Sequence, residues 1–289
     1  MSDRLPRVIV TGYQGLLGAT LLRVLPTMGF DVAGFEGDVS HPEDVARSLA
    51  NLQSGNWVIH AAAMTNVNAC ETERDRAFAV HVDGTRLLRD ATRERGARFL
   101  YISTVSIFPG LVGDAKENEL PYPKNWYNIT KYLGEVVALE DPQSVIVRLN
   151  LIGVHPEGSR GMNFCEWLVD SAKKNTDLKL FTDVRINPLS NWTIAEMLGS
   201  LLKNDCSQRI VHLASRDLAS KADVAQMVLR QFPSYSGHVD RISIDEIPSN
   251  VERPKEMWLN TDATREATGL TFPSLEEEIH RITHSSPFV

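Results

Sequence analysis

"RVIVTGYQGLLGATLLRVL", residues 7–25, decides the fold. The β-branched run Val8, Ile9, Val10 reads as a buried strand, and the leucines from Leu16 to Leu25 recur at helical period. Between them Gly12, Gly15 and Gly18 stand at three-residue spacing. A strand that turns sharply into a helix, lets a pyrophosphate approach the helix N-terminus and packs that helix closely on the sheet needs a missing side chain at each of those demands. Three glycines alone also fit a turn without a ligand. The strand before and the helix after, inside a βαβ unit, favour the dinucleotide.

Outward from this stretch the alternation continues. "FDVAGFE" reads as a strand, "PEDVARSLANL" as a helix and "NWVIHAAA" as a strand, giving βαβαβ. A long helix over 73–96, a strand "ARFLYIST", a helix beginning near Tyr127 and a strand over 144–150 follow. Such alternation predicts an α/β fold, a Rossmann-type doubly wound parallel sheet with helices on both faces. Beyond residue 150 the pattern loosens. "GVHPEGSRGMN" reads as a loop, and helices are expected in "FCEWLVDSAKK", "NWTIAEMLGSLL", "KADVAQMVLRQF" and "PSLEEEIHRITH", with one strand in "RIVHLAS". The expected organisation is a dinucleotide-binding domain over 1–150 and about 190–215, and a smaller, mostly helical C-terminal substrate lobe over about 151–189 and 216–289. The tail "HSSPFV" is expected to fray.

Bulk composition bounds the function. The 289 residues carry a net charge of −7 with acids and bases interspersed, so no basic stripe offers a footprint for nucleic acid or an anionic membrane. Cys70, Cys165 and Cys206 are far apart and form neither a disulfide framework nor a zinc site, so no metal is expected and a reducing cytoplasm fits. The N-terminus lacks a signal-peptide pattern, and no apolar run approaches the roughly 20 residues needed to span a bilayer.

Tyr127 and Lys131 lie four residues apart in "YNITK", on one helical face. They read either as a proton donor with its electrostatic partner or as two snorkelling neighbours on a solvated surface. Thr104 closes a strand, where a hydroxyl can align a carbonyl or satisfy local backbone.

The glycine turn, "HAAA" (60–63), "STVSIF" (103–108) and "YNITK" (127–131), in this order, resemble the extended short-chain dehydrogenase/reductase superfamily. "AAAMTNVNACE", "GMNF", "RPKEMWLN" and the contracted "GFEGDVSHPEDV" are similar to its dTDP-4-dehydrorhamnose reductase group. The resemblance covers nearly the whole chain. It implies Thr104, Tyr127 and Lys131 as catalytic residues, Tyr127 donating the proton, Lys131 stabilising phenolate and Thr104 orienting the carbonyl. It puts Gly12, Gln14, Gly15, Leu16, Leu17 and Gly18 on the cofactor's phosphates and Asp38 and Val39 beside its adenine. Ala61, Ala62 and Ala63 would run along it, Asn150 would lie near the nicotinamide, and Tyr127 and Lys131 would also touch it. Thr65, Val67, Thr104 and Leu151 would meet the sugar.

The implied activity is an NAD(P)H-dependent reduction of a nucleotide-linked 4-keto-6-deoxy sugar. NAD(H) and NADP(H) are both open as cofactor; no arginine or lysine occurs between Arg23 and Arg47 to meet a 2′-phosphate, and Glu36 would repel one. A homodimer is the family-level expectation. Val105 and Ser106 stand where dehydratases of the superfamily carry Asp-Glu, which disfavours water loss. An epimerase, and a non-catalytic dinucleotide-binding regulatory subunit like the methionine adenosyltransferase beta subunit, are the alternatives. The chain departs from the reductases at His81, where they have Asn, at Leu151, where they have Trp, and in "DVRINPL" (183–189).

Overall fold

The structure, a computed structural model, describes residues 6–156, 162–249 and 251–284. The predicted loop over 153–163 thus falls partly, and the predicted frayed tail almost wholly, outside the described residues. From the N-terminus the chain forms β1 (Arg7–Thr11), α1 (Leu16–Thr27), β2 (Asp31–Gly34), α2 (Pro42–Ser48) and β3 (Trp57–His60). Next come α3 (Val67–Thr72), α4 (Arg74–Phe78), α5 (Gly84–Glu94), β4 (Arg98–Ile102), α6 (Trp126–Leu139) and β5 (Val145–Leu149). The long helix predicted over 73–96 is therefore α4 and α5 joined by a π-helical turn, Ala79–Asp83. π-turns of this kind recur at functional sites, and this one has His81 at its centre.

After β5 the chain makes β6 (Leu151–Ile152), α7 (Phe164–Lys174), β7 (Leu178–Phe181), β8 (Arg185–Ile186), β9 (Leu189–Ser190) and α8 (Asn191–Lys203). It continues with β10 (Ile210–Leu213), β11 (Ala219–Ser220), α9 (Lys221–Leu229), β12 (Val239–Ile242), β13 (Glu256–Met257), α10 (Asp262–Thr268) and α11 (Leu275–Thr283). All the helices expected in this half form. The strands β6–β9 and β11–β13 are additions to what periodicity predicts.

Six strands in the order β10-β5-β4-β3-β1-β2, all parallel, make the central sheet. Its inner strands are buried on both faces, as Trp57–His60 and Val145–Leu149 are throughout, which is why they read as unbroken apolar runs. One face packs on α1 and α8 through Leu21, Leu25, Ile194 and Leu198; the other packs Phe99, Tyr101 and Ile146 with Leu88 and Ala138. A separate core of Leu168, Val169, Leu180, Val224, Val228 and Ile279 holds the smaller lobe together.

The strand order reverses beside β1, so the ends of β1, β3, β4 and β5 open on the crevice where such sheets bind ligands. Residues 252–260 lie across this region as a strap. Glu256 N–H donates to the Gly110 carbonyl (3.1 Å), Ala115 N–H to that of Trp258 (3.3 Å), and Asn125 Nδ2 to that of Glu252 (2.9 Å). Behind α6, Glu135 and Arg148 form a buried ion pair, 0% and 3% exposed at their side chains and 2.8 Å apart.

Candidate active site

The glycine turn is built as its demands require. Gly12 has φ +65°, and a Cβ there would lie 2.7 Å from the Ala62 Cα. A Cβ on Gly18 would strike the Gly12 carbonyl oxygen at 2.2 Å, which fixes helix against turn. At Gly15 the same addition meets only that oxygen, at 3.3 Å, so the first turn of α1 presents bare backbone. Gly15 is also the N-cap of α1, with no side chain bonded to the first-turn N–H groups. The cradle fits a dinucleotide's pyrophosphate: it is open, unblocked and at the positive end of a helix. Leu17 is buried in the core, so only its backbone can serve a ligand, whereas Gln14 is exposed and Leu16 half-buried. Ala61, Ala62 and Ala63 follow β3 beside the turn, and Ala62 N–H donates to Thr11 Oγ1 (3.0 Å).

At the rim after β2, Glu36 and Asp38 are exposed and Val39 is buried. Asp38 has its carboxyl held below the usual range, chiefly by the Ser40 N–H and hydroxyl. Asp44 accepts from Asp38 N–H (2.8 Å) and is paired with Arg47. Arg47 at this rim is thus already engaged by a carboxylate, and His41 Nδ1 lies 3.8 Å from the same Asp44.

The structure brings Tyr127 and Thr104 together. Thr104 lies two residues beyond the end of β4, caps the 3₁₀ turn Val105–Ile107, accepts from Ser106 N–H (3.2 Å) and shares a hydrogen bond with the Ser106 hydroxyl (2.8 Å). Burial pushes the Tyr127 phenol up to about 12; the Cys70 thiol adds to that rise and a hydrogen bond with Thr104 opposes it. A phenol so held is fully protonated at neutral pH, the form a proton donor needs.

Lys131 lies one helical turn on and is 4% exposed. Its Nζ donates to the Ile102 carbonyl (2.7 Å) and stands 4.1 Å from the Tyr101 ring centroid. Burial lowers it to about 7, partly opposed by Glu135. Because the unfolded lysine titrates near ~10.4, its charge opposes folding in full below pH 7, and the cost fades as pH rises from 7 towards 10.5. Replacing it in the cofactor-free protein, Lys131→Met, is therefore expected to raise stability by on the order of 2 kcal/mol below pH 7, with a smaller gain at pH 9. Urea melts at pH 6 and pH 9 check this; an equal or larger gain at the higher pH would contradict the buried-ammonium account.

His81 packs edge-on against Tyr127, with ring centroids 5.8 Å apart. Its Nε2 accepts from Met64 N–H (2.9 Å), so Nδ1 carries the proton and donates to Thr130 Oγ1 (2.8 Å). Burial, with Lys131 adding, lowers it to about 3, which keeps it neutral. It ties the loop after β3 to α6.

Of the other expected residues, Asn150 donates to the Met257 carbonyl (3.3 Å), Leu151 lies half-buried in β6 against the main core, Thr65 is exposed and Val67 half-buried at the start of α3. The "DVRINPL" departure holds the small lobe together. Asp183 accepts from Ser243 Oγ (2.6 Å), Arg185 pairs with Glu256 (2.8 Å), and Asn187 donates to the Leu259 carbonyl (2.9 Å). Sequence reading missed Ser106, Tyr101 and the Ile102 carbonyl as parts of the site. Ser106, two residues after Thr104 in "STVSIF", carried a readable signal; a backbone acceptor carries none. No group of three or more His, Cys, Asp or Glu able to hold a metal occurs among the described residues, nor is any helix there long and apolar enough to cross a membrane.

Comparison with known proteins adds three findings. The family model described as the RmlD substrate binding domain matches residues 6–286. The dTDP-4-dehydrorhamnose reductase of Aggregatibacter actinomycetemcomitans is 27% identical, over 91% of this chain and 94% of that one, and the dTDP-4-keto-6-deoxy-D-glucose reductase of Streptomyces niveus is 27% identical over 92% of each. The crystal structure of the Bacillus anthracis dTDP-4-dehydrorhamnose reductase in complex with NADP superposes with a TM-score of 0.88 at 26% identity, over 96% of this chain and 98% of that one.

Proposed function

The chain belongs to the RmlD substrate binding domain family, and on that premise we propose that it is an NAD(P)H-dependent reductase that converts the ketone of a nucleotide-linked 4-keto-6-deoxy sugar to an alcohol. The observation that carries this reading is the protonated Tyr127 phenol beside the Thr104 hydroxyl just beyond β4, with Lys131 one turn away. When bound, the dinucleotide supplies hydride. As negative charge grows on the carbonyl oxygen, Thr104 donates a hydrogen bond to it and Tyr127 gives up its proton. Lys131, near its own neutral point, favours the phenolate left behind. His81 holds α6 at its distance from the loop of Ala61–Met64.

The test is oxidation of NADH and NADPH against nucleotide-linked 4-keto-6-deoxy sugars, with product stereochemistry read by NMR. One cofactor consumed per alcohol formed is expected. A sugar isomer formed with no net cofactor consumption would mean epimerisation, and binding without turnover would mean a regulatory subunit.

The acidic rim bears on the cofactor. Like charges about 4 Å apart repel by about 1 kcal/mol in water, so Glu36 and Asp38, with Arg47 engaged by Asp44, favour NADH over NADPH by about tenfold in kcat/KM. The ratio of the two values measured with one sugar decides it, and a tenfold NADPH preference would overturn it. The proposal includes a cytoplasmic location, supported by three buried free cysteines, and a homodimer, supported by the family alone.

A further inference from the structure

We propose that Glu71 is a positioning residue of the reduction: its carboxylate anchors the first turn of α6 from outside the helix and so sets where Tyr127 presents its phenol. This rests on the reductase reading above. The first N–H groups of a helix have no partner within it. Asn125, the N-cap of α6, accepts from Asn128 N–H (2.9 Å) and so serves one of them. The N–H of Trp126, first residue of the helix and neighbour of Tyr127, is served instead by Glu71 Oε1 at 2.6 Å, from 55 residues away in sequence. A carboxylate at that end also meets the positive pole of the helix dipole.

The carboxylate is held on both oxygens. Arg74 Nη2 donates to Glu71 Oε2 (2.8 Å), the Arg74 carbonyl accepts from the Trp126 indole N–H (3.0 Å), and the guanidinium lies 5.1 Å from the Trp126 ring centroid. The corner between α3 and α4 thus grips Trp126 by backbone and by ring. The Trp126 N–H holds the Glu71 carboxyl below the usual range, against some burial and with Arg74 adding, so it is ionised at neutral pH. Hydrogen bonds to an ionised acceptor are about twice as strong as neutral ones. The same short helix reaches the phenol by a second route: Cys70, next to Glu71, donates its thiol to the Met64 carbonyl (3.4 Å), Met64 N–H donates to His81, and His81 packs edge-on against Tyr127. Val67, which the family resemblance sets against the sugar, lies on α3 four residues before Glu71. One element therefore carries both a sugar contact and the anchor of the proton donor.

The test is steady-state reduction of a nucleotide-linked 4-keto-6-deoxy sugar by wild type, Glu71→Ala and Glu71→Gln, in water and in D2O, with exchange of the Trp126 amide followed by NMR. Glu71→Ala is expected to lower kcat by about tenfold to 10²-fold, the scale of a roughly 1 Å displacement of a reacting group, with KM for the sugar and NADH affinity unchanged. The solvent isotope effect on kcat should rise, because proton transfer from a displaced phenol becomes slow. A purely structural cap would lower stability and leave the isotope effect alone. Glu71→Gln keeps an oxygen for the Trp126 N–H and should restore most of kcat. Wild-type kcat and isotope effect in Glu71→Ala would overturn the assignment while leaving the reductase reading standing. If the wild type reduces no keto sugar, that reading falls and amide exchange decides the anchor by itself: Trp126 exchange about tenfold faster in Glu71→Ala supports it, and unchanged exchange overturns it.

Discussion

Tyr127→Phe is expected to lower kcat for keto-sugar reduction by about 10²–10⁴-fold, the range a positioned general acid supplies. The substitution removes one hydroxyl and keeps the ring. The edge-on packing with His81 survives, and the Thr104 hydroxyl retains Ser106 as a partner. Stability should therefore change little, because no buried charge is left alone. KM should change far less than kcat, since the phenol acts as charge builds on oxygen rather than in the ground-state complex. Steady-state rates at saturating cofactor, with NADH binding measured separately, give the readout. A variant with wild-type kcat would falsify the proton-donor assignment whatever the product.

Glu135→Leu should destabilise the protein by about 3–5 kcal/mol, the cost of leaving a buried charge without its partner. Arg148 reaches Glu135 through Nε (3.0 and 3.2 Å) and Nη2 (2.8 Å), its Nη1 donates to the Glu117 carbonyl (3.3 Å), and the Phe108 ring centroid lies 5.2 Å from its guanidinium. Water cannot replace the lost carboxylate there. His212 cannot either: its Nδ1–H donates to the Asn260 carbonyl (3.0 Å), and burial, with Arg148 adding, keeps it neutral at about 3. The double variant Glu135→Leu/Arg148→Met should recover most of the loss, because an apolar pair of similar volume avoids both desolvation costs. Urea unfolding of the four proteins closes the cycle. A coupling energy near zero would mean that the pair is not mutually dependent. Glu135 sits one turn beyond Lys131, so the single variant should also disturb turnover more than its distance from the ketone suggests.

The fold of the first half was legible because its inner strands are buried on both faces and its helices on one. Unbroken apolar runs such as "RVIVT" and "VIVRL" then alternate with helical periodicity, and glycines mark the one turn that must be bare. The small lobe was legible only in its helices. β6, β8, β9, β11 and β13 are two residues long, too short for any period, and their pairing is set by partners far away in sequence. At the site, residue types were readable but not their contacts. The spacing of Tyr127 and Lys131 suggests an ammonium beside a phenol; the ammonium instead donates to the Ile102 carbonyl, and backbone acceptors leave no trace in a sequence. At His81 the sequence shows only a departure from the reductases' Asn. Both ring nitrogens prove to be occupied, so it is a core residue, packed edge-on against Tyr127.

The central sheet also has a history in time. β5 is buried throughout, yet its outer neighbour β10 is made only after residues 150–209 have been added. At about 5–20 residues per second of synthesis, the edge of "VIVRL" stands unpaired for several seconds while the dinucleotide cradle upstream already exists. A nascent chain stalled in that interval would show an apolar strand edge to chaperones and to its neighbours. Early cofactor capture at the glycine turn could shorten the folding search but could not cover that edge. The newborn protein's exposure to aggregation is thus set by how fast the ribosome reaches Leu213.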